Sequence, residues 1–193
     1  MDIILASTSP HRRRLLERLQ LPFRCLPPQT DEAPWPDETP ATLAVRLARA
    51  KAKSIAMLQP GALVIGSDQV ASIEGSIMGK PGNFNAASAQ LRSSSGREVV
   101  FYTAIALISP NHDQERFHVE RFCVRFRVLN DSQITNYLHR EQPYDCAGSF
   151  KAEGLGIALF ESLTGDDPTS LEGLPLIKLT ALLGELGVDI LHA

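Results

Sequence analysis

The sequence predicts an α/β protein built on a mixed β-sheet. Three observations predict it. Short apolar runs alternate with segments whose apolar residues recur at helical spacing, the pattern of helices laid over a sheet. The helical segments open on polar caps or prolines, and several stop at glycine. Two pairs of strand candidates are joined by short polar turns, which places antiparallel neighbours in the sheet.

Taken in order, Ile3 to Ala6 is a buried strand that runs into Ser7-Thr8-Ser9-Pro10. Ser9 is the expected cap and Pro10 the first residue of a helix striped by Leu15, Leu16 and Leu19. Pro27 to Pro40 is an acidic, proline-rich loop. Thr39-Pro40 opens a second helix, with Leu43, Leu47, Ala48 and Ile55 inward and Pro60-Gly61 beyond its end. Leu63 to Ala71 is a strand that turns at Glu74-Gly75-Ser76 and returns through Ile77 to Lys80. Asn83 to Ser94 is a helix stopped by Gly96. Val99 to Ile108 and Phe117 to Val128 are strands around Pro110-Asn111-His112-Asp113. The apolar phase of the second slips before Phe122, and a β-bulge is the expected cause. Asn130 and Gln133 form a capping box for a helix carrying Ile134, Tyr137 and Leu138. Cys146 to Ile157 is a glycine-bearing loop, and Leu174 to Leu186 is the last helix, stopped by Gly187.

At 193 residues the chain suits a single domain spanning 1–193. A chain of this size buries roughly 70% of its unfolded surface and needs no disulfide or zinc to fold. Hydrophobic residues make up 44% and charged residues 21%, with a mean hydropathy of -0.06, which excludes a disordered chain. The net charge of -3 gives no global field for duplex nucleic acid or an anionic membrane, so any anion site is a local cluster. Cys25, Cys123 and Cys146 leave an odd thiol without CxxC spacing, and the start of the chain lacks the basic region of a signal peptide. No apolar stretch has the length of a membrane span. A cytoplasmic protein without a membrane partner is expected, and a homodimer is left open.

Four clusters could carry chemistry. Ser7 to Arg14 puts His11, Arg12 and Arg13 in the first turn of a helix, where each cation costs about 0.3–1 kcal/mol unless an anion binds there. The plain alternative is that the arginines point to solvent. Asp68 and Gln69 sit within an apolar strand, and a buried carboxylate needs a cation or a metal. Glu32 could join Asp68 as a hard oxygen ligand, although its spacing alone favours a solvated loop acid. A sparse pair of acids among cations fits a metal shared with substrate phosphates. Among the lysines, Lys51, Lys53, Lys80 and Lys151, the Gly79-Lys80-Pro81 setting favours Lys80. Glu153, among small residues in Cys146 to Gly154, either accepts hydrogen bonds from a base edge or caps a tight exposed turn. No HxxxH, GxSxG or GxxxxGKS pattern occurs.

In order and spacing, these segments resemble the Maf family of nucleotide pyrophosphatases. The resemblance rests on Leu5 to Arg13, Asp31-Glu32, Leu47 to Ala52, Ile65 to Val70, Gly79-Lys80-Pro81, Cys146 to Gly154 and Gly173 to Leu176. It implies an elongated, curved mixed sheet flanked by helices, with two lobes and a central cleft. It also implies metal-dependent cleavage of a nucleoside triphosphate between the α and β phosphates, with Mg²⁺ or Mn²⁺ as cofactor and a small-molecule nucleotide as substrate. Carried over, Asp68 is the general base and a metal ligand, and Glu32 the second metal-associated acid. Ser7, Arg12, Lys51 and Lys80 bind phosphate, with Arg13 a weaker match. His11, Gln69 and Glu153 separate the branches of the family. Gln69 and Glu153 match the 7-methyl-GTP branch, whereas His11 stands where that branch often has tryptophan. A non-catalytic nucleotide sensor linked to septum formation, or an inosine-triphosphate-type pyrophosphatase, are the alternatives.

Overall fold

A computed structural model describes residues 1–110 and 113–192. Strands β1 (Ile3–Ala6), β2 (Arg24–Leu26), β3 (Leu63–Ile73), β4 (Ser76–Met78), β5 (Glu98–Ile108), β6 (Glu115–Phe126) and β7 (Phe160–Thr164) form one mixed sheet. Its order is β2-β1-β3-β5-β6-β7, with β4 also paired to β3. The β1–β2 and β1–β3 pairs are parallel and the others antiparallel. Asn111 and His112 of the expected β5–β6 turn lie outside the described residues.

Among the described residues five α-helices cover the sheet: α1 (Pro10–Glu17), α2 (Pro40–Ala56), α3 (Phe84–Ser94), α4 (Asp131–Glu141) and α5 (Leu176–Glu185). Their starts follow the sequence. Ser9, Thr39 and Asn83 each accept from a backbone N–H in the first turn, and Asn130 with Gln133 closes a capping box. Helix α2 packs on one face of the sheet through Leu43, Leu47, Ala48, Ala52 and Ile55. Gly66 permits this approach, because a Cβ there would lie 2.2 Å from the Ala48 carbonyl oxygen and 2.7 Å from the Ala52 nitrogen. The opposite face carries two further cores. Helices α1 and α5 bury Leu15, Leu16, Leu179 and Leu183 against β1, β3 and β5. Helices α3 and α4 bury Leu91, Ile134 and Leu138 against the other end of β5 and β6.

The phase slip in β6 has a different cause from the expected bulge. The β5–β6 register runs unbroken from Glu98↔Arg125 to Ile108↔Glu115. Val119 packs toward α2, whereas Phe122, Val124 and Phe126 enter the core on the other face. The strand changes the face it buries because different helices cover its two halves. The one register shift in this strand falls between Arg125 and Phe126, in its pairing with β7. Strands β2 and β7, too short to show a period, were not expected from the sequence.

Candidate active site

The site lies at a break in the sheet edge. On the side away from β5, residues 63–66 of β3 pair with β1 and residues 71–73 pair with β4. Among the described residues no strand lies beside Ser67 to Val70 there. Successive side chains of a strand point to opposite faces. At this gap Asp68, on the α2 face, and Gln69, on the other, therefore both line one pocket of about 670 Å³.

On the α2 side, Lys51 is buried and its Nζ donates to Asp68 Oδ1 at 2.6 Å and lies 2.6 Å from Glu32 Oε1. The close α2–β3 contact at Gly66 sets this lysine over Asp68. Lys51 holds Glu32 below the usual carboxylate range through their hydrogen bond, with smaller contributions from Lys80 and Arg12. Glu32 comes from the long loop before α2 and stays half-exposed, yet it reaches the buried lysine. Arg12, on α1, donates from Nε to the Gly173 carbonyl at 2.9 Å. Burial pulls its guanidinium below the ordinary value, and the charges of Asp68 and Glu32 offset part of that. Arginine remains protonated all the same. Ser7, buried, and Lys80 line the same pocket. The cations Arg12, Lys51 and Lys80 outnumber Asp68 and Glu32, so this end suits a polyanion.

The segment 145–153 and the turn Pro168–Glu172 that precedes Gly173 also contribute to the pocket lining. Glu153 Oε1 lies 2.8 Å from His11 Nδ1, which joins α1 to the glycine-bearing loop. The same nitrogen lies 2.9 Å from an Arg14 guanidinium nitrogen. With a proton it donates to Glu153; without one it accepts from Arg14. Gln69 Nε2 donates among Thr103 Oγ1, the Ser170 carbonyl and the Leu171 carbonyl, at 3.0, 2.8 and 3.1 Å. Gly173 also accepts from buried Ser67 at 2.9 Å. Lys151 lines the pocket and donates to the Glu141 carbonyl. Burial, with Asp145 beside it, pushes the Cys146 thiol up to about 12, so it stays protonated near neutral pH.

Of the residues singled out in the sequence, the fold brings Ser7, His11, Arg12, Glu32, Lys51, Asp68, Gln69, Lys80, Lys151 and Glu153 to the pocket. Arg13 is placed elsewhere: it faces outward and pairs with Glu17 one turn along α1, at 3.0 Å. Several contributors were not visible in the sequence. Gln90 of α3 donates to the Gly79 carbonyl at 2.9 Å and accepts from Ser149 at 2.5 Å, tying the segment before Lys80 to the glycine-bearing loop. Thr103 and the carbonyls of 170, 171 and 173 act on Gln69, Ser67 and Arg12. Contacts made by main-chain carbonyls carry no signature in residue type. Only the unusual density of glycine and proline around Gly173 marks that turn.

Asp68 and Glu32 are hard oxygen donors held next to one another by a shared ammonium. Among the described residues no group of three or more His, Cys, Asp or Glu side chains is arranged to hold a metal ion. The donor set fits a divalent ion shared with substrate phosphates and waters, and does not fit an all-protein cage.

These elements make an α/β protein with a cation-lined pocket for a polyanion, set beside the buried Asp68 and the half-exposed Glu32. The Maf-like protein family model matches residues 2–186, and the chain belongs to that family. It is 51% identical over 189 residues to a 7-methyl-GTP pyrophosphatase of Colwellia psychrerythraea, covering 98% of this chain and 94% of the relative. It is 53% identical over 187 residues to one of Bordetella pertussis, covering 97% and 93%. Among solved structures, the Staphylococcus aureus Ham1 protein is similar at a TM-score of 0.46 and 15% identity, over 65% of this chain and 72% of that one. Among the described residues no helix is long and apolar enough to cross a membrane.

Proposed function

We propose that this chain hydrolyses 7-methyl-GTP between the α and β phosphates, giving the nucleoside monophosphate and pyrophosphate, as one catalytic domain in the cytoplasm. The observation that carries the proposal is the convergence at the sheet gap. The Asp68–Lys51–Glu32 cluster, Arg12 and Lys80 line one pocket together with Gln69 and Glu153. The names of the half-identical relatives support the substrate class.

In this reading Arg12 and Lys80 bind the phosphate chain and offset the charge that grows on the leaving pyrophosphate. Lys51 fixes Asp68 through Oδ1, and Oδ2 has no partner among the described residues. That oxygen orients a water and takes its proton as the water attacks phosphorus and the bridging P–O bond breaks. A divalent ion, Mg²⁺ or Mn²⁺, held by Glu32 and Asp68, would supply further charge neutralisation. At the base end, Glu153 and Gln69 accept from the N1–H and 2-amino donors of guanine, and the positive charge of a 7-methylated ring suits an acidic wall. Glu153 must exchange His11 for the base, so the pair across the pocket mouth opens or is shared when substrate enters.

The test is pyrophosphate release from a panel of 7-methyl-GTP, GTP, ITP, dTTP and UTP, with and without Mg²⁺ or Mn²⁺. The expected order is 7-methyl-GTP above GTP, and both above dTTP. Faster turnover of dTTP or UTP would refute the base assignment. Nucleotide binding without pyrophosphate release under any metal condition would refute catalysis.

A further inference from the structure

Gln69 and Thr103 are cross-strand partners in the β3–β5 register, and Thr103 is fully buried. The Gln69 amide nitrogen faces three acceptors: the Thr103 hydroxyl at 3.0 Å and the Ser170 and Leu171 carbonyls at 2.8 and 3.1 Å. The reverse orientation would set the amide oxygen against two main-chain carbonyls. The Thr103 hydroxyl could not rescue it, because Oγ1 already donates to the Ser170 carbonyl at 2.9 Å. A primary amide so enclosed has one orientation. Its Oε1, without a partner among the described residues, is what Gln69 presents to the pocket.

We infer that Thr103 is a positioning residue: by holding the Ser170 carbonyl against the Gln69 nitrogen it acts together with the Ser170 and Leu171 carbonyls to make Gln69 an acceptor only, and so sets which base edges the pocket takes. The inference rests on the reading that the Gln69 end receives the base. Thr103 holds the Ser170 carbonyl with its proton and the Gln69 nitrogen with its lone pair. Position 69 then accepts a hydrogen bond and offers none. A guanine 2-amino group satisfies it, whereas hypoxanthine, which has hydrogen at that carbon, leaves it unpaired. Glu153 acts in the same sense, since a carboxylate also only accepts. Two acceptors in one pocket select for a base rich in donors.

The test uses the full chain with Thr103→Val, which keeps the shape and removes the hydroxyl, and Thr103→Ser, which keeps the hydroxyl. For each, kcat/KM is measured with GTP and with ITP, alongside the exchange protection of the Gln69 side-chain amide by NMR. The wild type is expected to favour GTP over ITP by about tenfold, the range set by one unmade hydrogen bond to a partly buried acceptor. Thr103→Val is expected to reduce that ratio about fivefold, chiefly through a higher KM for GTP, and Thr103→Ser to restore it. A ratio left unchanged by Thr103→Val, or equal losses for both nucleotides, would overturn the inference, because a merely structural role lowers both together. If the wild type turns over neither nucleotide, the activity reading fails and the amide signals decide. Protection in the wild type and Thr103→Ser, lost in Thr103→Val, supports the positioning role; equal behaviour in all three overturns it.

Discussion

Replacing Lys51 by methionine keeps much of the side-chain volume and removes the charge that Asp68 and Glu32 share. The side chains of Lys51 and Asp68 are 8% and 10% exposed, so this half of the interaction is a buried pair. Removing one partner from such a pair costs about 3–5 kcal/mol, because a carboxylate is left without compensation. Glu32 is 58% exposed and can turn to water, so its half adds little. Arg12, whose charge also acts on Asp68, relieves part of the loss. The expected destabilisation is therefore about 3 kcal/mol at neutral pH. For a chain of this size that corresponds to a fall in Tm of roughly 6–12 °C. Urea denaturation of the wild type, Lys51→Met, Asp68→Asn and the double variant closes a thermodynamic cycle. The coupling between the two positions should be about 2 kcal/mol. Additive effects, or a Lys51→Met protein as stable as the wild type, would refute the idea that this lysine holds the cluster together.

Other perturbations address the remaining parts of the site. Gly66→Ala should cost at least about 3 kcal/mol, since the atoms in its way are α2 backbone and the helix must move off β3; thermal denaturation measures this. Arg12→Ala and Lys80→Ala should each lower kcat/KM at least about tenfold and weaken triphosphate binding more than monophosphate binding, read by calorimetry with both nucleotides. Arg13→Ala, at an exposed pair with Glu17, should leave both kcat and KM within about twofold of wild type. In acid, Glu32, Glu38 and Glu115 share one sign. Hydrogen bonds from Lys51, Arg46 and Arg49 respectively lower their folded pKa values. Their stabilisation is fully present above the ordinary glutamate range and is lost as pH falls through the lowered folded values, which a pH series of denaturation midpoints would show.

Most of the secondary structure was legible in the chain's own residues, because the signals there are local. Ser9-Pro10, Thr39-Pro40, Asn83 and the Asn130–Gln133 box satisfy the orphan N–H groups of the first turns, and the structure starts its helices at these points. The family was legible too, since Ile65 to Val70, Gly79 to Pro81 and Cys146 to Gly154 keep their spacing however the chain folds. Tertiary structure decided the phase of β6, which depends on which helix covers each half of the strand. It also decided that Arg13 turns away while Arg12 turns in, a choice fixed by the rotation of α1 against the turn at Gly173. Neighbours in sequence are separated by about 100° on a helix, and only packing sets the zero of that angle. The union of Lys51 with both Asp68 and Glu32 required the close approach of α2 at Gly66 and the break in the sheet edge between β1 and β4. The fixed face of Gln69 is decided by Thr103 across the sheet and by carbonyls about a hundred residues away in the chain. Every residue supplies such a carbonyl, so residue type carries no trace of which ones will point into a site.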